Sequence, residues 1–206
     1  MILPFFPLKL VVFPGEELNL HIFEPRYKEL IKDVEEGDLT FGVCTFIDQL
    51  SGYGTEVKLR EIHTRYDDGR MDISTTGQRV FKIATFDNPS PGKEYAAGAI
   101  EWLEDDLRVP DFLHHEYIFY LREMLHLLRY DVSFNPDEVD SFSFSHKIGL
   151  KLEEELELIK LPSEEKRTEF LIKHLKRIIP ALHAAEQAKE KIKQNGHFKH
   201  LDPLDF

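Results

Sequence analysis

The sequence predicts an α+β fold in which a β half is followed by a helical half. Up to about residue 107, apolar and polar residues alternate in short runs that Gly, Pro or Asp interrupt, which is typical of strands and turns. After the acidic stretch Glu104–Asp106, the apolar residues recur with the 3.6-residue period of an amphipathic helix. We therefore expect a β-barrel domain at 1–107 and a helical bundle at 108–206.

The β half is predicted to contain several short strands and one helix. The strands are expected at Leu8–Val12, Leu18–Ile22, Thr40–Ile47, Thr55–His63, Met71–Thr75, Arg79–Phe86 and Tyr95–Leu103. The helix is expected to begin at Pro25 and to end at Gly37. Its inward stripe is predicted to contain Tyr27, Leu30, Ile31 and Val34. Glycines are expected to break the β runs, Gly52 and Gly54 before Thr55, and Gly77 before Arg79. Strands in such close succession favour a closed or nearly closed barrel, since closure leaves few exposed edges.

The second half is predicted to be helical. The stripe of its first helix contains Leu113, Tyr117, Tyr120, Leu121, Met124, Leu127 and Leu128. A second helical stretch is expected from Asn135, its cap, to His146, and a third from Leu152 to Ile159. A long helix is expected after Ser163. Pro180 should kink it, because the proline ring clashes with the preceding turn. We expect the tail 195–206 to fray.

Composition and charge argue against several classes of protein. The 206 residues include 26 Lys and Arg against 38 Asp and Glu, a net charge of −12. An acidic chain is a poor match for nucleic acid or for an anionic membrane, because both are bound through Lys and Arg. The apolar N-terminus 1–15 is broken by prolines and does not resemble a signal peptide. No apolar run reaches the roughly 20 residues that span a bilayer. We expect no nucleic-acid or membrane partner.

Few residues suggest chemistry. Cys44 is the only cysteine, which excludes an internal disulfide and indicates a reducing, cytoplasmic location; we interpret it as a buried, inert thiol. His115 and Glu116 begin like a zinc-peptidase helix, but Phe119 stands where the second histidine would be. His197 and His200 could bind a metal weakly, but they fall in the tail. No phosphate-binding loop, dinucleotide motif or serine-nucleophile motif is present. We predict no catalytic residue, cofactor or metal site.

Two other features concern recognition. Sixteen phenylalanines against one tryptophan indicate a packed core, although the surplus also fits a protein that holds apolar peptide. At Leu20–Tyr27 a strand ends and a helix begins. Glu24 lies near the positive end of the helix dipole, and Arg26 can pair with a nearby carboxylate. We interpret the Glu24-Pro25-Arg26-Tyr27 corner as a feature of the fold and not as a site.

An ordered series of short motifs makes the chain recognisable. The series is Phe6-Pro7-Leu8, Val12-Phe13-Pro14-Gly15, Leu20-His21-Ile22-Phe23-Glu24-Pro25-Arg26-Tyr27, Phe41-Gly42-Val43, Tyr53-Gly54-Thr55, Asp68-Gly69-Arg70 and Gly77-Gln78-Arg79-Val80-Phe81. In order and spacing it resembles the substrate-binding, N-terminal domain of the Lon protease family, which also occurs in cereblon and in RING-containing Lon-domain proteins. The resemblance implies a PUA-like pseudo-barrel followed by helices, in a domain that selects protein substrates.

The same resemblance sets the expected function. A full Lon protease continues with an ATPase and a Ser–Lys peptidase, and this sequence contains neither, so we predict that the protein is not an enzyme. We expect a module that binds unfolded or exposed polypeptide segments, as an adaptor for a separate protease or chaperone; no peptide-binding residue is assigned. One alternative is a small-ligand or enzymatic role in a cleft between the two halves. Another is RNA binding by analogy with PUA domains, which the net charge opposes.

Overall fold

A computed structural model describes residues 1–37, 40–130 and 132–196. These residues form two compact units. The first, here called the strand unit, contains the described residues of Met1–Arg108 and Asp140–Arg167; the second, the helical unit, contains those of Val109–Val139 and of 168–196. The units describe packing and not independent folding, so the division into domains at 1–107 and 108–206 stays a prediction. The fraying of the tail also stays a prediction, since 197–206 lies outside the described residues.

The strand unit contains one mixed sheet that curls into a ring. Its strands are β1 (Ile2–Leu8), β2 (Glu17–Ile22), β3 (Thr40–Ile47), β4 (Gln49–Arg65), β5 (Met71–Ile83) and β6 (Ala96–Trp102). Their order is β2-β5-β4-β3-β1-β6, and β5 also pairs with β6, which closes a five-stranded ring. Only β1 and β3 are parallel among these neighbours. The predicted α+β pseudo-barrel is confirmed, as a strand ring and not a regular barrel.

Strand β5 makes closure of the ring possible because it is long enough to pair with three other strands. Its residues Met71–Thr76 pair with β2, and Phe81–Ile83 pair with β6. On its other edge it pairs with β4 through most of its length. Strand β2 therefore attaches to the first part of β5 and lies outside the ring.

The helix predicted in the β half is confirmed. Helix α1 spans Pro25–Glu36, with Pro25 in its first turn. The four residues of the predicted stripe are its buried residues, and they pack in one core cluster with residues of the sheet such as Ile22 and Ile73. Burying an aliphatic or aromatic side chain of this size stabilises a fold by roughly 1.5–3 kcal/mol. The helix is therefore held to the sheet by its apolar stripe.

The predicted first strand was wrong. We expected Leu8–Val12, from the alternation of Leu8, Leu10 and Val12, but β1 spans Ile2–Leu8 and contains Pro4 and Pro7. Pro4 lies opposite Ala97 of β6, and Pro7 lies opposite Cys44 of β3. The buried side chains of β1 are Leu3, Phe5 and Phe6. The apolar area that they bury outweighs the donors that the prolines lack.

Glycines inside strands misled the prediction of strand ends. Gly77 does not separate two strands, since β5 runs through it; β4 likewise begins at Gln49 and not at Thr55. The Gly77 N–H donates to the Glu16 carbonyl, and the Gly77 carbonyl accepts from the Gly15 N–H. A Cβ at Gly77 would collide with the carbonyl oxygen of Phe13. Glycine is required here for close approach of two backbones, and not as a break.

The helices of the second half are α2 (Asp111–Leu127), α3 (Leu152–Lys160) and α4 (Glu164–Gly196). These confirm three of the four predicted helical stretches. The stretch from Asn135 to His146 was wrong, since it forms only the 3-10 turns Pro136–Glu138 and Ser145–Lys147. Asp140 accepts hydrogen bonds from the N–H groups of Phe142 and Ser143, and such local bonds compete with a helix. Helix α4 continues through Pro180, and the kink stays a prediction.

A buried ionic network holds the segment Asp140–Arg167 in the strand unit. The Arg167 side chain is only 2% exposed, and its Nη2 lies 3.0 Å from Glu164 Oε2 and 2.8 Å from Asp105 Oδ1. Its Nε donates to Ser141 Oγ, and its Nη1 donates to the Leu161 carbonyl. Glu164 also accepts hydrogen bonds from the N–H and hydroxyl of Ser141. One guanidinium thus joins the residues after β6, the segment before α3 and the start of α4.

Gly77→Ala is expected to lower the free energy of unfolding by about 2–3 kcal/mol, because the new methyl group overpacks a fixed backbone contact. The measurement is chemical unfolding of the purified protein. Gly92→Ala is the control, since Gly92 has a φ of 75° but open space around it. That change should cost about 1 kcal/mol, the penalty of a left-handed backbone alone. Equal losses in the two variants would contradict the role given to Gly77.

Arg167→Met is expected to destabilise the protein by about 3–5 kcal/mol, since it leaves the Glu164 carboxylate buried without its cation. Arg108→Met is the matched control. Arg108 also pairs with an aspartate, at 2.6 Å from Asp106, but its side chain is 91% exposed, so the change should alter stability little. Thermal and urea unfolding of both variants would compare them. A small loss for Arg167→Met would show that the network is not needed.

Candidate functional site

The outer edge of strand β2 is an open sheet edge. Strand β2 pairs with β5 on one side. On the other side, no strand within 1–37, 40–130 and 132–196 pairs with it. An open edge presents unpaired backbone N–H and C=O groups, which makes it a template for another extended chain.

The register shows which backbone groups face outward. The Gly77 N–H donates to the Glu16 carbonyl, so Glu17 and Thr76 form a non-hydrogen-bonded pair of the antiparallel ladder. The backbone N–H and C=O of the next residue, Leu18, therefore point toward β5. The Leu18 carbonyl accepts a hydrogen bond from Thr75 Oγ1 at 3.0 Å. Orientation alternates along a strand. The outward residues are therefore Glu17, Asn19 and His21.

The side chains of β2 alternate in the same way between core and solvent. Leu18 and Leu20 pack against the core cluster that contains Ile22. These three side chains form the core-facing side of β2. The side chains of the outward residues Glu17, Asn19 and His21 are exposed. Strand β2 is therefore fixed by its even residues, while its odd residues present both backbone and side chain to solvent.

Aromatic side chains lie at the end of this edge. Phe23 directly follows β2 and is 59% exposed. Its ring is 6.1 Å from the ring of His21, and the Tyr66 ring lies 6.0 Å from His21 on another side. Exposed aromatic rings beside free backbone groups are typical of surfaces that bind peptides, where they receive apolar side chains.

Asp72 on β5 is hydrogen-bonded to two of these ring side chains, His21 and Tyr66. Its Oδ1 lies 2.6 Å from His21 Nδ1, and its Oδ2 accepts a hydrogen bond from the Tyr66 hydroxyl at 2.6 Å. The Tyr66 hydrogen bond, followed by that of His21, lowers the pKa of the Asp72 carboxyl. The same bond raises the pKa of the Tyr66 hydroxyl. Asp72 therefore stays ionised and holds the His21 and Tyr66 rings in place.

The Glu24–Tyr27 corner follows the edge. Arg26 Nε donates to Glu24 Oε2 at 2.9 Å, which confirms that Arg26 pairs with a nearby carboxylate. Glu24 occupies the N-cap of α1 without a side-chain capping bond. The Tyr27 ring is buried against the Phe6 ring, with 3.8 Å between centroids. These contacts are structural, and they fix the direction in which the chain leaves β2.

Within the described parts of the chain, a second edge of the sheet also has no partner strand, and its side chains differ from those of β2. Residues 61–65 of β4 pair with β5, while the pairing of β4 with β3 ends at Lys58. This edge carries the exposed charged residues Glu61 and Arg65, with Arg65 paired to Glu35 of α1 at 2.5 Å. Charged side chains on an edge discourage added strands. The β2 edge carries one charged residue, Glu17, and is the more accessible of the two.

A pocket of about 330 Å³ lies elsewhere in the strand unit, between the turn before β2 and the segment before α3. Phe13 and Phe142 stack there with 5.3 Å between ring centroids. The two ring nitrogens of His146 lie 3.1 Å from Glu16 Oε2 and 2.7 Å from Glu155 Oε1. Hydrogen bonds to Glu155 and Glu16 raise the pKa of His146 to about 9. The imidazolium is thus a structural cation at neutral pH, and it links two carboxylates.

Helix α2 of the helical unit carries another apolar surface. Phe112 and Phe119 are 72% and 63% exposed. Phe119 lines a groove of about 690 Å³, together with His115 and Ile118. These exposed phenylalanines were not predicted from the sequence, because both lie off the stripe that predicts the buried face. A helix satisfies its own backbone, so this surface offers side-chain contacts alone.

The side chains that could take part in chemistry belong to different elements of the fold. Cys44 is buried as predicted, and burial raises the pKa of its thiol. Glu116 pairs with Lys176. No group of three or more His, Cys, Asp and Glu within the described ranges could hold a metal. His197 and His200 lie outside those ranges. None of the helices described there is long and apolar enough to cross a bilayer.

The sequence matches a family model across most of its length. The model of the ATP-dependent protease La (LON) substrate-binding domain matches residues 2–177. The chain belongs to this family. A Lon substrate-binding domain is a substrate-recognition module, and the resemblance inferred from the ordered motifs is confirmed.

Solved structures agree with this Lon-domain fold. A Lon N-terminal domain protein from Xanthomonas campestris is 25% identical, with a TM-score of 0.66, and the match covers 84% of this chain and 98% of that one. The N-terminal domain of the Mycobacterium avium complex Lon protease is 13% identical, with a TM-score of 0.63 and coverage of 85% and 98%. The second likeness shows the fold alone.

His146→Gln is expected to lower stability at neutral pH and to matter less as pH rises. The folded pKa of about 9 lies above the usual histidine pKa of 6.5. The stabilisation is therefore complete below the lower value and lost as pH passes the higher one. With the side chain 38% exposed, we expect at most about 1 kcal/mol.

The measurement is the free energy of unfolding of wild type and variant at pH about 6 and about 10. The difference between the two proteins should shrink at the higher pH. His115→Gln, an exposed imidazole on α2, is the control and should leave stability unchanged. A difference that stays constant with pH would contradict the role of the charged imidazole.

Proposed function

We propose that this Lon substrate-binding domain recognises exposed, non-native segments of other proteins and acts as an adaptor for a separate protease or chaperone. The observation that carries the proposal is the family match over residues 2–177. The open β2 edge supports it, because an unfolded segment is extended and has unpaired backbone groups of its own. The exposed phenylalanines of both units also support it, since non-native segments expose apolar side chains.

Recognition in this proposal does not include bond breaking. Cutting or unfolding of the captured protein belongs to a partner, and the domain contributes selection. We also propose a cytoplasmic location, supported by the single, buried Cys44. A nucleic-acid partner is disfavoured by the net charge of −12.

A small-ligand role, the alternative considered from the sequence, would need convergent polar side chains in an enclosed pocket. The pocket beside Phe13 has polar groups, but His146 is engaged by both Glu16 and Glu155. The pocket of about 240 Å³ beside Arg167 draws on the same buried network that holds the unit together. These polar groups serve the fold, so recognition of polypeptide is the better-supported function.

The wild-type protein is expected to bind a protein that chemical modification keeps unfolded, with a dissociation constant of roughly micromolar order, the range of weak recognition surfaces. Fluorescence anisotropy of a labelled, chemically unfolded protein measures it. The same protein in its folded state is the matched control, because its segments are already paired. Equal binding of both forms, or of neither, would overturn the proposal.

A further inference from the structure

We propose that substrates bind by strand addition at the outer edge of β2. An extended segment of another protein would hydrogen-bond to the backbone of Glu17, Asn19 and His21, and one of its apolar side chains would contact Phe23. This inference rests on the proposed function and assigns its site.

The backbone groups of this edge are arranged for strand addition. Each outward residue offers one N–H and one C=O, and alternate residues of an antiparallel strand are roughly 6.8 Å apart. A segment of about five residues could therefore form up to about six backbone hydrogen bonds. Such bonds do not depend on side chains. The edge can bind many different substrates, which a module for non-native proteins must do.

The β2 edge is also ordered before a partner binds. Strand β2 keeps one register with β5 from Glu17 to Ile22, without a bulge. Leu18 and Leu20 pack into the core, so that the strand does not have to order when a segment arrives. A preformed edge reduces the entropy that binding costs.

Charge favours a foreign segment over a second copy of the chain. Each copy carries a net charge of −12, so pairing of two copies brings like charges together. Around the edge, Glu17 and Asp72 are acidic and His21 is hydrogen-bonded to Asp72. Glu24 is paired with Arg26, and Arg70, over the Tyr66 ring, is paired with Asp68. The expected occupant is an extended segment with an apolar residue for Phe23 and lysine or arginine beside it.

The test changes one outward N–H. Asn19→Pro removes the N–H that faces the open edge, while the ladder to β5 uses Leu18 and Leu20, so the fold should tolerate it. Asn19→Ala is the matched control, because it removes the same side chain and keeps the N–H. The probe is a short fluorescent peptide of alternating valine and lysine, and the unfolded protein is measured beside it. We expect Asn19→Pro to weaken binding of both by at least about tenfold, and Asn19→Ala by less than about twofold.

Two measurements on the wild-type protein do not depend on the variant. A peptide N-methylated at alternate residues, on the edge that faces β2, should bind at least about tenfold more weakly than the unmethylated peptide. Hydrogen exchange should show rapid exchange at Glu17, Asn19 and His21 in the free protein and protection when peptide is bound. If circular dichroism shows that Asn19→Pro does not fold, these two measurements decide whether segments bind at the β2 edge.

The outcomes separate the site from the function. If wild type binds unfolded protein but binding is insensitive to Asn19→Pro and to N-methylation, the β2 site is wrong and the proposed function stands. Protection of α2 amides with none at β2 would likewise overturn the site. If wild type binds neither probe, both proposals fail. Amides of β2 that are already protected in a concentration-dependent dimer would show that a second copy occupies the edge.

Discussion

The pairing of one strand with three others determines how the strand unit is built. Strand β5 uses one edge for β4 and divides its other edge between β2 and β6. Because a strand has only two edges, the residues that close the ring through β6 cannot also bind β2. Strand β2 is therefore left beside the ring with a covered inner face, and among residues 1–37, 40–130 and 132–196 no strand pairs with its outer edge. The candidate site follows directly from this closure.

Local signals predicted the elements that depend on neighbouring residues. Helix α1 was predicted by Pro25, an apolar stripe and Gly37, and the change to helical period near residue 108 was also correct. The prediction failed where distant contacts decide. Burial of Phe5 keeps two prolines inside β1, and contact with Phe13 explains Gly77. Side-chain bonds of Asp140 replace the expected helix with short turns.

The candidate site needed more than the sequence. The run Leu18–Ile22 predicts a strand, but nothing in it shows that β5 is its sole partner among the strands that the structure describes. That fact depends on pairing with Met71–Thr76, about fifty residues later in the chain. The direction of each backbone group depends on the register of the same pairing. The motif Leu20–Tyr27 did point to this region, although as a mark of family and not of a site.

The contact at Gly77 has a consequence for the surface that β2 displays. The hydrogen bond from the Gly77 N–H to the Glu16 carbonyl and the one from the Gly15 N–H to the Gly77 carbonyl set where β2 starts against β5. Sliding β2 by one residue would turn its leucines to solvent and bury Glu17 and His21, since side chains repeat every two residues. Gly77 therefore fixes the register of β2, and the register determines which side chains of the strand are exposed to solvent.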